Sequence, residues 1–141
     1  EISLRNLIDT DVLLDIALDR KPHSGPSGRL LDYLQRRPGT GCFAWHTASN
    51  LHYLTKAGRS GFDAKSFLAS LSSFLEVAPA STPALRFALN LDMTDFEDAM
   101  QAAAASAWGA DVIATRNLRD FRKSPIPAQS PASLLCTLAS S

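Results

Sequence analysis

Short apolar runs of strand length alternate with longer stretches of helical periodicity along nearly the whole chain, and this alternation restricts the fold more than any other feature. Candidate strands are Leu4 to Ile8, Gly41 to Trp45, Phe74 to Ala78 and Val112 to Thr115. In the first of these, Arg5 and Asn6 interrupt the apolar pattern before the polar turn Asp9-Thr10-Asp11. Helical spacing predicts an inward face at Val12, Leu13 and Ile16 within Val12 to Leu18, and another at Leu30, Leu31 and Leu34 after a cap at Ser27. The stretch Arg20 to Pro26, with Pro22, Gly25 and Pro26, reads as a loop. A third helix, capped by Thr47 or Ser49, runs through Leu51, Tyr53 and Leu54 and ends at Gly58 and Gly61. A fourth occupies Phe62 to Leu71, and Ser81-Thr82-Pro83 and Ser130-Pro131 each open another. Asp95 to Trp108 is the clearest helix, with acids in its first turn, Phe96, Ala99, Met100, Ala103 and Ala107 along one side, and Gly109 at its end. Strands separated by helices pair in parallel and are covered on both faces. The expected fold is a three-layer α/β/α sandwich with a central parallel sheet, residues 1–141 forming one domain.

Composition fits this reading, because 45% of the 141 residues are hydrophobic, enough for a packed core. Lys plus Arg and Asp plus Glu are 14 each, so a nucleic-acid partner would have to be met by local charge rather than by the chain's total. Cys42 and Cys136 lie in apolar contexts without CxxC spacing and read as small buried thiols of a reducing compartment, the cytoplasm. Trp45 and Trp108 read as core. No apolar run approaches the roughly 18 residues that span a bilayer, so no membrane association is expected. No secretory leader is apparent, and the start at Glu1 rather than Met suggests a trimmed or partial chain.

In a parallel sheet, ligands bind outside the carboxyl ends of the strands. Asp9 follows the first strand there, Thr115, Asn117 and Asp120 follow a late one, and Asp98 sits in the first turn of the long helix. Asp9, Asp98 and Asp120 are thus candidates for one cleft. Crowded carboxylates repel one another, and Mg²⁺ or Mn²⁺ relieves that repulsion while activating water against a phosphodiester. Each acid also has a plain structural reading: a strand stop or helix cap for Asp9, a dipole partner for Asp98, a turn acid for Asp120. His23, His46 and His52 show no zinc spacing and read as surface or structural residues. There is no GxSxG, P-loop or GxGxxG.

Three stretches together resemble the PIN-domain family. Leu7 to Asp15 (LIDTDVLLD) is similar to its opening motif, Asp95 to Ala104 (DFEDAMQAAA) to its central acidic helix, and Ala114 to Phe121 (ATRNLRDF) to its third motif. The closing SPIP of Ser124 to Pro127 and the following Ser130-Pro131 are also similar. The resemblance spans nearly the whole chain in the expected order, with VapC-type toxins of bacterial toxin–antitoxin pairs as the nearest group. It implies a Mg²⁺- or Mn²⁺-dependent ribonuclease with Asp9, Asp98 and Asp120 as metal-site acids. Thr10, Thr115 and Asn117 would be supporting polar residues. A homodimer and a cognate antitoxin that reaches into the active site are implied as partners. One departure stands out: Asn50 occupies the place on the helix after the second strand where many PIN domains carry glutamate, with Glu97 as a possible nearby substitute acid.

Arg116, Arg119, Arg122 and Lys123 form the densest basic stretch, and Arg116 and Arg119 are the candidate RNA phosphate contacts, although a solvated loop face explains them equally. Two other readings compete with the nuclease. A weakened module that binds RNA or protein without cutting is favoured by Asn50. A phosphorylatable receiver-like domain would use Asp9, Asp11 and Thr115, but lacks a convincing lysine after a final strand.

Overall fold

The computed structural model describes residues 4–56 and 61–140. Its strands are β1 (Asn6–Ile8), β2 (Gly41–Ala44), β3 (Leu75–Ala78), β4 (Val112–Ala114) and β5 (Ala128–Gln129). They form one sheet in the order β3-β2-β1-β4-β5, with every neighbouring pair parallel. The helices are α1 (Thr10–Ala17), α2 (Ser24–Gln35), α3 (Trp45–Thr55), α4 (Ala64–Ser72), α5 (Thr82–Leu89), α6 (Phe96–Trp108) and α7 (Pro131–Ala139).

Side chains alternate across a strand, and here the alternation divides the core into two layers. Ile8, Phe43, Val112 and Ala114 pack on one face with Val12, Leu13, Leu30, Leu51, Leu71 and Leu134 from the surrounding helices. Leu7, Cys42, Ala44 and Ile113 pack on the other with Ala102 and Ala105 of α6. Each fully buried leucine or isoleucine contributes about 1.5–3 kcal/mol. The α/β/α sandwich expected from the sequence is therefore present. Gly41 lets β2 and β3 pack closely, since a Cβ there would lie 2.7 Å from the Leu75 side chain and force it to shift. Gly109 closes α6 in the left-handed conformation, φ 87°, as its place after Trp108 predicts.

Several local expectations change. Ser27 does not cap α2. The helix begins at Ser24, and Ser27 is buried within it. Pro26 falls in the first turn, where a missing N–H costs no hydrogen bond, so a stretch that reads as loop is helical. Neither Thr47 nor Ser49 caps α3, which starts at Trp45 directly from the end of β2 and ends at Thr55. Gly58 lies outside the described residues. Trp45 is 66% exposed rather than core, because the turn from strand to helix directs it outward, and Cys136 is exposed on α7. Along α6 the buried residues are Asp98, Ala99 and Gln101 to Ala105, so the expected Ala99 and Ala103 are inward, while Phe96 and Ala107 face outward. The smallest side chains meet the sheet, and Asp98 and Gln101 are carried to its carboxyl edge. Among the described residues, no helix is long and apolar enough to cross a membrane.

Candidate active site

The connection after β1 turns towards β2, whereas β4 lies on the opposite side of β1, so the strand order reverses between β1 and β4. Such a reversal opens a crevice at the carboxyl edge. Asp9 lies there as the single residue between β1 and α1. Its N–H pairs with the Ala114 carbonyl at 3.0 Å, continuing the ladder to β4. Its Oδ1 accepts the Thr10 N–H at 2.7 Å and its Oδ2 the Thr115 hydroxyl at 2.8 Å. Asp9 thus caps α1, and the capping bonds also fix the carboxylate at the crevice.

The second arm of the site comes from α6. The Asp95 side chain accepts the Asp98 N–H at 3.0 Å and sets the helix start, so Glu97 and Asp98 fall in the first turn. One carboxylate oxygen from each of Asp9, Glu97 and Asp98 lies within 4.8 Å of the other two. Asp120 sits on the 3-10 turn Leu118–Phe121 and is exposed. Its charge reaches Asp98, but it stands outside the group of three. Of the three acids expected from the sequence, Asp9 and Asp98 meet directly, and Glu97 joins them.

Burial and mutual repulsion strain this group electrostatically. Burial, followed by the charge of Asp11, holds the Asp9 carboxyl well above its ordinary range despite the Thr115 hydrogen bond, and Glu97 and Asp98 raise it further. Burial and the charges of Asp95, Glu97 and Asp120 raise Asp98 to about 7. Glu97 goes the other way: burial pushes it up, but hydrogen bonds from His46 and Gln101 outweigh that and hold it below its ordinary value.

His46 and Thr47 reach the site because α3 begins immediately at the end of β2. His46 Nε2 lies 2.7 Å from Glu97 Oε2. The fully buried Gln101 places its Nε2 2.8 Å from the same oxygen, 3.0 Å from Thr10 Oγ1 and 3.2 Å from Thr47 Oγ1. Thr10 and Thr47 hydroxyls are 2.9 Å apart. Asn50 is half-buried one helical turn beyond His46 and is not a member of this network, in which the buried Gln101 Oε1 has no hydrogen-bond partner. Sequence reasoning missed His46, Thr47 and Gln101 as site residues. A lone histidine has no motif, and only the abrupt strand-to-helix junction brings it to the edge.

The basic stretch divides in two. Arg116 turns inward, its guanidinium paired with the buried Asp15 through Nε and, at 3.2 Å, through Nη2. Arg20 donates to the same carboxylate at 2.7 Å. The Arg116 N–H also donates to Asp11 Oδ2 at 3.3 Å. Arg119 is exposed, and so is Asn117, whose N–H donates to Thr115 Oγ1 at 3.0 Å.

A family model described as PIN domain matches residues 5–119. The chain belongs to the PIN domain family. PIN domains are generally nucleases that use divalent metals, and the Asp9, Glu97 and Asp98 group could bind such an ion. A search of curated proteins finds no match. Among solved structures, this PIN domain resembles VapBC2 from Rickettsia felis bound to a promoter DNA fragment, with a TM-score of 0.69, 17% identity, and coverage of 90% of this chain and 98% of that one. DNA-bound VapBC from Salmonella typhimurium gives a TM-score of 0.69 at 20% identity over 91% of this chain and 98% of that one. FitAcB from Neisseria gonorrhoeae gives 0.63 at 15% identity over 89% and 97%. At these identities the likeness is one of fold.

Proposed function

We propose that this PIN domain is a Mg²⁺- or Mn²⁺-dependent ribonuclease and the toxin half of a type II toxin–antitoxin pair. The observation that carries the reading is the convergence of Asp9, Glu97 and Asp98 at the strand-order reversal of a PIN fold. The donor set fits a hard divalent cation. It offers carboxylate oxygens only, the ligand type that Mg²⁺ takes. The raised Asp9 and Asp98 carboxyls mark a site with more negative charge than burial tolerates, a burden that a bound cation removes. When bound, such an ion supplies a water of lowered pKa and neutralises charge developing on a phosphodiester.

The protein's own groups have distinct parts in this scheme. Asp9, fixed on both oxygens by Thr10 and Thr115, and Asp98, in the first turn of α6, would hold the ion in their deprotonated forms. Asp120 adds negative charge from the adjoining turn. Asn117 caps the Thr115 hydroxyl through its backbone. Arg119 is free to meet an RNA phosphate, whereas Arg116 shapes the crevice wall through Asp15. We read the cytoplasm, where its RNA substrate is found, as the place of action.

The partners follow the same reading. VapBC and FitAcB structures are among the structural neighbours, which supports a cognate antitoxin. Exposed Trp45 on α3 and Leu85 on α5 line one apolar depression, and such a joined apolar surface supports a homodimer. The test is RNA cleavage with Mn²⁺, with chelator, and with Asp9→Asn. Cleavage that needs Mn²⁺ and disappears in the variant supports the enzyme. RNA binding without cleavage by the wild type would favour the weakened binding module that Asn50 suggests.

A further inference from the structure

We infer that His46 is a positioning residue of the metal site, acting with Gln101 to fix Glu97 as its third carboxylate ligand. The inference rests on the metal-site reading above. A carboxylate only accepts hydrogen bonds, so the 2.7 Å contact requires His46 Nε2 to carry the proton and donate to Glu97 Oε2. The same logic orients the Gln101 amide, since its Oε1 against the carboxylate would be repulsive, whereas Nε2 donates at 2.8 Å. Both donors converge on Oε2 and so hold the carboxylate in one orientation beside Asp9 and Asp98.

Glutamate has three side-chain torsions, and holding one rotamer costs entropy unless neighbours fix it. Gln101 is itself held at 3.0 Å and 3.2 Å from the Thr10 and Thr47 hydroxyls, inside the buried junction of α1, α3 and α6. Thr10 adjoins Asp9 and shares its capping bond, so one chain of hydrogen bonds connects two of the three carboxylates. Helix α3 therefore serves the site from its first turn, by a donor acting on an α6 acid. The position one turn later holds the neutral Asn50.

The test is Mn²⁺ binding to the full chain by electron paramagnetic resonance, without RNA. His46→Phe keeps the ring's volume and removes the donor, while His46→Gln keeps a donor of similar reach. Outer-sphere partners of metal ligands are worth about 10–100-fold in affinity. His46→Phe is expected to lose that factor, His46→Gln to recover most of it, and Glu97→Gln to match the loss. His46→Phe combined with Glu97→Gln should be no worse than Glu97→Gln alone, because both act through one carboxylate. Wild-type Mn²⁺ affinity in His46→Phe, or additive losses in the double variant, overturns the inference while Asp9→Asn still reports on the metal site. A wild type that binds no Mn²⁺ overturns both.

Discussion

Thr115 donates its hydroxyl to Asp9 Oδ2 across 2.8 Å, joining the end of β4 to the end of β1 at the point where the strand order reverses. The bond holds one carboxylate oxygen and opposes the rise in its proton affinity. Thr115→Val keeps the shape and removes the donor. Mn²⁺ affinity should drop by about 10–100-fold with the fold preserved. Titration of the two proteins with Mn²⁺ checks this, and equal affinities would mean that the hydroxyl serves only the turn.

Asp9→Asn should leave the circular dichroism spectrum unchanged and reduce RNA cleavage by about 10³-fold, the rate equivalent of several kcal/mol of lost metal-assisted stabilisation. Single-turnover cleavage of a labelled RNA at saturating Mn²⁺ is the measurement. Activity within a few-fold of the wild type would remove Asp9 from the ligand set.

The buried carboxylates give stability a definite pH dependence. Asp9 and Asp98 bind protons more tightly in the folded chain than in the unfolded one, where an aspartate titrates near 3.9. Between about pH 4 and pH 7 the native state therefore holds more protons, and stability falls as pH rises through that window. Metal-free Tm should be lower at about pH 8 than at about pH 5, by less in Asp98→Asn than in the wild type. Mn²⁺ should raise Tm more at the higher pH, where it need not displace protons. A thermal shift from Mn²⁺ that is independent of pH would contradict the assignment.

Asp15 is fully buried and held by Arg116 and Arg20. Arg116→Ala leaves that charge with Arg20 alone. Removing one partner of a buried pair costs about 3–5 kcal/mol, and the remaining arginine should keep the loss near the lower end. Urea denaturation measures it. A change below about 1 kcal/mol, the range of surface pairs, would show Arg116 to be a surface cation after all.

Arg119→Ala should weaken RNA binding without altering stability, and flatten the log–log salt dependence by roughly 0.7 for one lost phosphate contact on a single strand. Affinity measured at several salt concentrations with a non-cleavable RNA analogue checks this. An unchanged slope would place the strand away from the 3-10 turn.

The layered fold was legible because Leu7-Ile8, Phe43 and Val112 to Ala114 are apolar on both faces, as strands covered by helices must be. The starts at Ser81 and Ser130 were equally readable, since each combines a short polar side chain with a following Pro, whereas Asp95, read as the first residue of its helix, is the cap of α6. β5 was not, because two residues, Ala128 and Gln129, carry no period. Asn6 read as an interruption of β1, yet it is buried there, its amide donating to the carbonyls of Leu4 and Thr40 at 3.1 and 3.2 Å. At the site, Asp9 and Asp98 could be found from strand ends and helix starts. Glu97 was seen as a neighbour, but its part depends on Gln101 one helical turn away and on His46, 51 residues away in sequence. No local pattern encodes a contact of that span.

The alanine face of α6 has a further consequence. Ala102 and Ala105 lie directly on the sheet, so the helix axis approaches as closely as a methyl group permits. That thickness sets how far Glu97 and Asp98 stand from Asp9. The buried alanines therefore work as a spacer between the α6 acids and Asp9. A bulkier residue at Ala102 would lift the helix and widen the carboxylate triangle, even if the remaining core still closed around it. Overpacking at such a position costs about 1–3 kcal/mol, so a chain could lose part of its stability, still fold, and no longer bring its three carboxylates together.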